Sequence, residues 1–600
     1  MDIGFRLHYY GGRIYSRSEN IDVTKKTVYR YKNGEENIEW RFEPYCGGVL
    51  VDLKVTGKDP LGICRIDSVV FGLDAPEKTD RVIFLGRDVY GNEIRFPSEL
   101  AECTEYASGC VGMTRCLTEG GLLLAGVSPF VNICQAAAVK KPNGCFELSA
   151  KTEYGDAMKD ERCLCAERFY LSLDRTIDEF FDSYRALLPQ SGFEMPKLKG
   201  WNTWDYYLDR VTPEDVAENV EALKGMPFAN EIDYIVIDDG WQVGWGDWRE
   251  NEKFSCGLKT VAENIVSAGF IPGIWMAPLC VMKDSHWLSE KPEWFCRTAE
   301  GELLYDMGLY YMDPTHPDAE RFILDNYRYQ YEAGFRLFKM DYISPLLKVK
   351  SFYDKSAAPY GVLARLVERV KECTGPDAVI LGCSLPLECG ADIAPSMRIS
   401  VDIHNHFSHV EWIAQSLAWS WMFNLKNTRI DPDFLVVRGE ETSNEPLIWE
   451  GDRRNDFVPP PRHKQTDKDR WKSHWRHGDQ FNALEAETWA NLVAVSGGNI
   501  FLSDRMSKLN ERGISIIQNA YRIAGDSVRP IYQKGDVRRP SVWMGDRGIL
   551  LINWDEIPKT VTVSDVDRDV ESNKEYVLEN GVLTVSLLPH ESFAAVYKSK

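Results

Sequence analysis

The sequence lacks the patterns that mark many metal, nucleotide and membrane proteins. Its 15 cysteines show no repeating spacing, and no CxxC pair or Cys/His zinc pattern is present. No GxGxxG fingerprint follows a strand pattern, which argues against a reaction that depends on a dinucleotide. No apolar run approaches the roughly 18 residues of a membrane-spanning helix. We therefore predict no Cys/His zinc site, no dinucleotide cofactor and no membrane partner.

Basic residues are scarce relative to acidic ones. The chain has 70 Lys and Arg against 91 Asp and Glu, which gives a formal net charge of -21. Binding to nucleic acid needs Lys and Arg clustered on one face, so this balance argues against a nucleic-acid partner. The N-terminus has no apolar core of signal-peptide length, and an odd number of cysteines fits reduced thiols. We therefore expect a cytoplasmic protein.

The length of 600 residues is too great for one hydrophobic core, so several domains are expected. Up to about Leu173, short β-type runs such as "GVLVDLKV" alternate with Gly, Pro and Asp clusters at turn-like spacing. A helical stretch, "TIDEFFDSYRALL", and the connector "PQSGFEMPKLKG" follow. The pattern predicts an N-terminal antiparallel β-sandwich domain with its linking helix (1–190), a central barrel (191–523) and a small C-terminal β domain (524–600).

From about Leu198 the pattern becomes strand, loop and helix in regular repetition. The helical segments include "PEDVAENVEALKG", where Thr212 followed by Pro213 is a sound helix start. Eight strand patterns with alternating helices predict an α/β fold, a (β/α)8 TIM barrel. The eight patterns are "GWNTW", "IDYIVIDDG", "IPGIWMAP", "FRLFKMDYI", "AVILGCSLP", "MRISVDI", "DFLVVRG" and "NIFLSDR".

Two of these strand patterns deliver a carboxylate at their C-terminal end. Asp341 lies near the end of "FRLFKMDYI", and Asp402 lies near the end of "MRISVDI". In a parallel barrel, the C-terminal ends of the strands form the rim where catalytic side chains converge. A pair of carboxylates at such a rim is the catalytic arrangement that cleaves glycosidic bonds. The alternative interpretation is that each belongs to a structural ion pair of the barrel.

Polar residues accompany both carboxylates. Because side chains alternate along a strand, Lys339 is predicted to share a face with Asp341. Arg398 and Ser400 are predicted to share a face with Asp402 for the same reason. A lysine beside a carboxylate favours its ionised form, which suits a nucleophile. Arg398 is expected to orient the substrate or to tune the acid.

Acidic and aromatic residues also follow other strand patterns. Asp238 and Asp239 end the second one, and adjacent acids are costly to bury without partners. Sugar hydroxyls are suitable partners because each donates a hydrogen bond to a carboxylate oxygen. The alternatives are helix capping and metal binding. Indole rings at the same rim would form platforms for sugar rings, and others would belong to the core. The tryptophans at or just after the strands are Trp204, Trp241, Trp245, Trp248 and Trp275.

Several motifs of the barrel occur in a shared order. They are "GWNTWDYY", "IDDGWQ" with "GDW" after it, "GIWMAP", "FKMDYI", "GCSLP" before "MRISVDI", and "VSGGNIFLSDR". In this order the chain resembles the α-galactosidases of glycoside hydrolase family 36, which are related to the α-galactosidases and α-N-acetylgalactosaminidases of family 27. The resemblance implies retaining hydrolysis that releases terminal α-linked galactose, with Asp341 as the nucleophile and Asp402 as the acid/base. It implies no metal and no nucleotide.

The resemblance also implies a set of substrate-binding residues. They comprise a carboxylate pair for the 4- and 6-hydroxyls of the sugar, aromatic walls, positively charged groups, and a strand end that faces the 2-position. The matching residues are, in that order, Asp238 and Asp239, Trp204 and Trp275, Lys339 and Arg398, and Cys383 with Ser384.

Other functions would keep the same residues. An α-galactosyl-transferring enzyme, similar to the raffinose synthases, would differ only in how well the acceptor outcompetes water. In family 27 relatives, a small residue at the position of Ser384 accompanies acceptance of an N-acetyl group, which makes an α-N-acetylgalactosaminidase the second alternative. The third is an inactive sugar-binding relative, and the presence of both Asp341 and Asp402 weighs against it. The resemblance is also compatible with a homo-oligomer.

Two segments depart from the resemblance. After Asp402 the chain reads "IHNHFSH", and His404, His406 and His409 could in principle bind Zn²⁺. Hydrogen bonding to the leaving group or to the loop itself is the simpler interpretation.

A long insertion, 449–480, follows the seventh strand pattern on the predicted catalytic face. It is interpreted as a lid, a solvated loop or a subunit contact.

Overall fold

The N-terminal part of the chain forms two antiparallel sheets. The structure is a computed structural model that describes residues 1–78, 80–85, 93–115, 118–127, 129–155, 158–298, 300–349, 351–385, 387, 393–444, 480–536 and 538–598. Alternate side chains of the first strand, Ile3, Phe5 and Leu7, are buried, as the period of two in a β-strand requires. The prediction of an antiparallel β region is therefore confirmed. The first sheet contains, in order, Ile14–Asn20, Asp2–Tyr9, Ile63–Leu73, Phe146–Glu153, Ile133–Lys140 and Glu105–Ser108. The second contains Thr27–Asn33, Glu36–Tyr45, Gly48–Thr56, Phe169–Arg175, Gly121–Gly126, Cys110–Arg115, Asp80–Leu85 and Glu93–Arg95, with Cys163–Cys165 paired to Gly48–Thr56.

Helix α1 (Ile177–Leu187) connects these sheets to the rest of the chain. Thr176 caps it, because its hydroxyl accepts a hydrogen bond from the backbone N–H of Glu179 and the Glu179 carboxylate accepts one from the backbone N–H of Thr176. On the buried face of the helix, the ring centroid of Phe181 lies 5.6 Å from that of Trp419. The helix therefore packs against the barrel.

A parallel sheet of nine strand segments closes into the barrel. Two segments are successive parts of one strand, so the barrel in the described part of the chain has eight strands, as predicted. The first part of the split strand pairs with the sixth strand, and its second part pairs with the eighth, which also pairs with the first. This pairing completes the ring. The strands are β1 (Lys199–Asn202), β2 (Tyr234–Ile237), β3 (Ile271–Met276), β4 (Leu337–Met340), β5 (Val379–Gly382), β6 (Ser396–Arg398), β7 (Arg429–Asp431 and Phe434–Leu435) and β8 (Ile500–Leu502).

Strand β6 is shorter than its apolar pattern suggests. It ends at Arg398, so the prediction that Arg398, Ser400 and Asp402 share one strand face is wrong. Beyond the strand, the backbone N–H of Ile403 donates to the side chain of Asp433, 2.5 Å away. The segment from Ser400 onward is therefore a loop on the C-terminal rim.

Strand β7 begins earlier than the pattern "DFLVVRG", at Arg429. Its first part contains the charged residues Arg429 and Asp431, so it lacks the apolar pattern from which the other strands were predicted. The strand is interrupted before Phe434, where Asp433 has a positive φ of 87°. The interruption turns the Asp433 carboxylate toward the loop after β6.

Helices connect the barrel strands. The predicted start at Thr212 is confirmed, because its hydroxyl accepts from the backbone N–H of Asp215 at 3.2 Å and Pro213 is the first helical residue. Short helices also occur at Trp204–Tyr207 and Trp287–Glu290. The long helices are α2 (Pro213–Lys224), α3 (Leu258–Ser267), α4 (Pro317–Ala333), α5 (Pro359–Thr374), α6 (Phe407–Ser420), α7 (Ala483–Val495) and α8 (Glu511–Ile523).

The C-terminal part forms two further antiparallel sheets around a separate hydrophobic cluster that includes Val542, Leu551 and Phe593. The division into domains at 190 and 523 stays a prediction. In the ranges described above, no helix has the length and apolar character needed to cross a lipid bilayer. One sheet contains Val528–Ile531, Val542–Gly545, Gly548–Ile552, Ser592–Tyr597 and Val570–Glu571, and the other contains Lys559–Val563, Val582–Leu587 and Val577–Glu579.

Candidate active site

Asp341 directly follows β4 on the C-terminal rim of the barrel. One of its carboxylate oxygens accepts from the indole N–H of Trp275 at 3.1 Å, and the other accepts from the backbone N–H of Tyr342 at 2.7 Å. Burial raises the pKa of Asp341, whereas the charge of Lys339 and the two donors act to lower it. The surroundings of Asp341 thus combine desolvation with three groups that favour its ionised form.

Asp402 lies on the loop after β6, and its side chain is 37% exposed. One carboxylate oxygen lies 2.9 Å from Nη2 of Arg398, and the other accepts from the indole N–H of Trp204 at 3.3 Å. The charge of Asp402 is one of the causes that raise the pKa of Asp341. The two carboxylates are therefore close enough to interact electrostatically, although they come from different strand ends.

Arg398 is shared between two carboxylates. Its guanidinium, only 4% exposed, lies 2.9 Å from Asp402 and 2.8 Å from Asp433. Burial raises the pKa of Asp433, and Arg398 acts to lower it. Asp433 also accepts from the backbone N–H of Ile403, next to Asp402. Sequence reasoning missed Asp433, and its position in "DPDF", at the interruption of β7, was the available signal.

Lys339 forms an ion pair with Asp238. Its Nζ lies 2.8 Å from Oδ2 of Asp238, and both side chains are buried. Asn202 donates a second hydrogen bond to the same oxygen at 2.9 Å. Burial acts to lower the pKa of Lys339, but neighbouring groups, Asp238 first among them and then Cys383 and Asp341, together outweigh it, and the pKa is raised. The expected pairing of Lys339 with Asp341 is thus replaced by a direct contact with Asp238 and a longer-range effect on Asp341.

Asp239 is buried beside Asp238 at the end of β2. One of its oxygens accepts from the side-chain amide of Gln242 at 2.5 Å and from the indole N–H of Trp245 at 3.3 Å. The backbone N–H of Asp239 donates to Asp238 at 3.0 Å. These bonds orient the two carboxylates as a pair. Gln242 was not among the predicted residues, although it belongs to the motif "IDDGWQ".

The rim tryptophans divide into two groups. Trp241 and Trp248 are buried in the core, and the indole N–H of Trp241 donates to the backbone carbonyl of Trp275 at 3.1 Å. Trp275 is itself packed against Trp245, with ring centroids 5.2 Å apart. Trp204 is partly exposed. The structure thus brings Trp204 and Trp275 to the carboxylates Asp402 and Asp341, and Trp241 and Trp248 both contact Trp275.

Cys383 and Ser384 follow β5, next to β4. The backbone N–H of Cys383 donates to the carbonyl of Met340 at 2.7 Å, and burial raises the pKa of the Cys383 thiol well above its ordinary value. Ser384 has a positive φ of 57°, and its hydroxyl lies 3.5 Å from Oδ1 of Asp341. Both predicted residues therefore lie beside Asp341.

The three histidines after Asp402 are close to one another, and the rings of two of them, His404 and His409, form hydrogen bonds. The ring centroids of His404 and His406 are 4.8 Å apart, and those of His404 and His409 are 6.3 Å apart. Nδ1 of His409 donates to the backbone carbonyl of Asp402 at 3.2 Å, and Nδ1 of His404 donates to the carboxylate of Asp205 at 3.0 Å. In the portion of the chain covered by the structure, no group of three or more His, Cys, Asp or Glu side chains is placed to hold a metal ion.

The predicted insertion 449–480 lies almost entirely outside the described residues, which resume at Gln480.

Sequence reasoning also missed Asp205 and Arg438, which contact His404. An acid after "GWNTW" and an arginine after "DFLVV" were the available signals, because both lie just beyond strand patterns.

A family model described as Melibiase matches residues 196–346. This segment contains Asp238, Asp239 and Asp341 but ends before Asp402. The bifunctional alpha-galactosidase/sucrose kinase AgaSK of Mediterraneibacter gnavus is 24% identical over 169 residues. The aligned stretch covers 26% of this chain and 17% of that protein, so the chain matches less than a fifth of the length of this curated relative.

Solved structures show the same architecture. The α-galactosidase TtGalA from Thermus thermophilus, in complex with p-nitrophenyl α-D-galactopyranoside, has a TM-score of 0.56 at 18% identity and covers 86% of this chain and 97% of that chain. The GH36 α-galactosidase AgaA from Geobacillus stearothermophilus has a TM-score of 0.58 at 12% identity and covers 99% of this chain and 89% of that chain. These findings confirm the predicted fold class and the resemblance to family 36 α-galactosidases.

Proposed function

We propose that this protein is an exo-acting, retaining glycoside hydrolase that releases terminal α-linked galactose, with Asp341 as the nucleophile and Asp402 as the general acid/base. The observation that supports this proposal most directly is the contrast between two carboxylates on one barrel rim. Asp341 accepts two hydrogen bonds that favour its ionised form, whereas Asp402 is 37% exposed and accessible to a leaving group and to water. Double displacement needs two carboxylates with such different surroundings.

In the first step, Asp341 attacks the anomeric carbon while Asp402 gives its proton to the glycosidic oxygen. The bond to the leaving group breaks, and a galactosyl ester of Asp341 forms. Trp275 and Tyr342 hold the attacking carboxylate by both oxygens, which fixes its direction of attack. Burial favours this step, because the charge of Asp341 disappears when the ester forms.

In the second step, Asp402 acts as a base. It removes a proton from water, the water oxygen attacks the anomeric carbon, and Asp341 is released. Two successive inversions give net retention. Arg398, 2.9 Å from Asp402, stabilises the ionised carboxylate between the steps, and Asp433 shares the charge of this arginine.

We assign recognition of the sugar hydroxyls to Asp238 and Asp239, and the aromatic walls to Trp204 and Trp275. Lys339 and Gln242 orient the carboxylate pair through contacts of 2.8 and 2.5 Å. Cys383 and Ser384 are assigned to the 2-position of the sugar, because the Ser384 hydroxyl lies near the nucleophile. Because the odd number of cysteines fits reduced thiols, we place this activity in the cytoplasm.

The proposal is tested with nitrophenyl α-galactoside, α-N-acetylgalactosaminide, β-arabinopyranoside and α-glucoside in the presence of a chelator. We expect selective release of nitrophenol from the α-galactoside. Preference for the N-acetyl sugar would assign the protein instead as an α-N-acetylgalactosaminidase and direct attention to Ser384. An Asp341→Ala variant that keeps full activity on the α-galactoside would contradict the mechanism.

A further inference from the structure

A buried charged cluster lies next to the loop that bears Asp402. It consists of Asp205, His404, Arg438 and Asp504, each of which is at most 1% exposed. The Arg438 guanidinium lies 2.5 Å from Asp205 and 3.0 Å from Asp504. Buried charges are costly unless they are paired in good geometry, so these partners hold one another in place. The proposed mechanism uses none of these four residues.

The cluster ties the catalytic loop to three strand ends. Asp205 follows β1, Arg438 follows β7 and Asp504 follows β8. His404 lies two positions after Asp402, and its Nδ1 donates a hydrogen bond to Asp205 at 3.0 Å. Asn405, the next residue, donates to the backbone carbonyl of Arg438 at 3.2 Å. The loop after β6 is therefore anchored to the barrel through buried groups.

Trp204 and Asp205 are neighbours in the chain, and both contact this loop. The indole N–H of Trp204 donates to the carboxylate of Asp402 at 3.3 Å, while the carboxylate of Asp205 accepts from His404 at 3.0 Å. One short helix, Trp204–Tyr207, thus contacts the loop at two points that are two residues apart. A displacement of His404 would change the direction in which Asp402 faces a bound substrate.

We propose that His404, held by Asp205, which is itself paired with Arg438, is a positioning residue for the general acid Asp402. This inference rests on the proposed function. A positioning role of His404 can be distinguished from a merely structural one, because displacement of the general acid slows the reaction only when the leaving group needs a proton. A sugar alkoxide is a poor leaving group and requires protonation by Asp402, whereas dinitrophenolate departs without it.

The chain offers a closely matched pair of variants. In His404→Asn, the side-chain amide nitrogen lies near the position of Nδ1, so the hydrogen bond to Asp205 is retained. In His404→Gln, the amide nitrogen lies nearer the position of Nε2, so that bond is lost while a polar side chain of similar size remains. The control is His8→Asn, since His8 forms a different His–Asp contact, Nε2 to Asp67 at 2.9 Å, in the N-terminal sheets.

The experiment compares kcat/KM for raffinose and for 2,4-dinitrophenyl α-galactoside in the full-length proteins. For His404→Gln we expect a loss on raffinose at least about 30-fold greater than the loss on the dinitrophenyl substrate, because a displaced acid should lose much of the 10²- to 10⁴-fold that general acid catalysis contributes. For His404→Asn the loss on raffinose should be less than about 5-fold. His8→Asn should match the wild type on both substrates.

Equal losses of kcat/KM on both substrates for His404→Gln would overturn the inference and leave the proposed function in place. So would a His404→Asn variant as selectively impaired as His404→Gln. If His404→Gln does not fold, the two substrates are compared in His404→Ser, which also lacks the Nδ1 bond, with the same expectation. Wild-type protein that hydrolyses neither substrate would overturn the proposed function itself, and with it the inference.

Discussion

Lys339 and Asp238 form a buried ion pair in which the ammonium nitrogen lies 2.8 Å from a carboxylate oxygen. The two residues are 101 positions apart in the chain and meet because β2 and β4 both flank β3 in the barrel. The lysine therefore orients the proposed sugar-binding pair by direct contact, and it favours ionisation of Asp341 through its charge. One buried cation thus serves two carboxylates with different proposed roles.

Replacement of Lys339 alone should be strongly destabilising. In Lys339→Met, the carboxylate of Asp238 would stay buried without its cation, and we expect the free energy of unfolding to fall by about 3–5 kcal/mol. The double variant Lys339→Met/Asp238→Asn removes both charges and should recover part of this loss. Urea unfolding of the two variants measures the difference. A loss below about 1 kcal/mol in the single variant would show that the ion pair is not important for stability.

Trp275→Phe should shift the pH dependence of kcat/KM. The indole donor lowers the pKa of Asp341, so its removal raises that pKa. Activity requires the ionised carboxylate and is lost as the pH falls through this pKa, so the acidic limb should move to higher pH. The control is Trp543→Phe, which removes a buried indole donor to Pro540 in the C-terminal sheets and should leave the limb unchanged. An unshifted limb in Trp275→Phe would contradict the assignment of this limb to Asp341.

The carboxylate of Asp341 should reduce the stability of the protein at neutral pH. Because burial raises its pKa in the folded state, the folded protein holds this proton more tightly than the unfolded chain, and stability falls as the pH rises above the ordinary Asp range. We expect Asp341→Asn to raise the melting temperature by roughly 1–3 °C at pH 7. The difference should shrink near pH 4, where the wild-type carboxyl is increasingly protonated. A lower melting temperature for Asp341→Asn at pH 7 would contradict this account.

Local patterns were sufficient for the parts of the site that follow regular strands. Asp341 and the pair Asp238 and Asp239 directly follow apolar β-strands, and the structure places them at the predicted rim. The sixth and seventh strands were harder to predict, because the seventh is interrupted at Asp433 and the segment after the sixth bonds to the Asp433 side chain and not to a strand backbone. The hydrogen bond between the Ile403 backbone and the Asp433 side chain joins residues 30 positions apart, so it produces no periodic pattern in the sequence.

The supporting residues were hidden for the same reason. Asp205 and His404 are 199 positions apart, and they meet only when the eighth strand returns to the first and closes the barrel. No local propensity records which rim residues become neighbours on closure. The histidine-rich segment was visible as an unusual composition, but its main partners, Asp205 and Arg438, were not.

Asp402→Ala should impair substrates according to their leaving groups. We expect kcat/KM for raffinose to fall about 10²- to 10⁴-fold, because the glycosidic oxygen must then leave without a proton. For 2,4-dinitrophenyl α-galactoside the change should stay within a few-fold, since this leaving group needs no protonation. Steady-state kinetics with both substrates provide the comparison. A uniform loss would mean that Asp402 is not the general acid.

The most direct test of the central claim is the anomeric configuration of the galactosyl azide formed when azide rescues the two carboxylate variants, read by proton NMR. With Asp341→Gly, azide would replace the nucleophile in a single displacement, and we predict β-galactosyl azide. With Asp402→Ala, azide would attack the galactosyl ester of Asp341, and we predict α-galactosyl azide. The opposite pair of products, or rescue of neither variant, would contradict the assignment of Asp341 as the nucleophile and Asp402 as the acid/base of a retaining α-galactosidase.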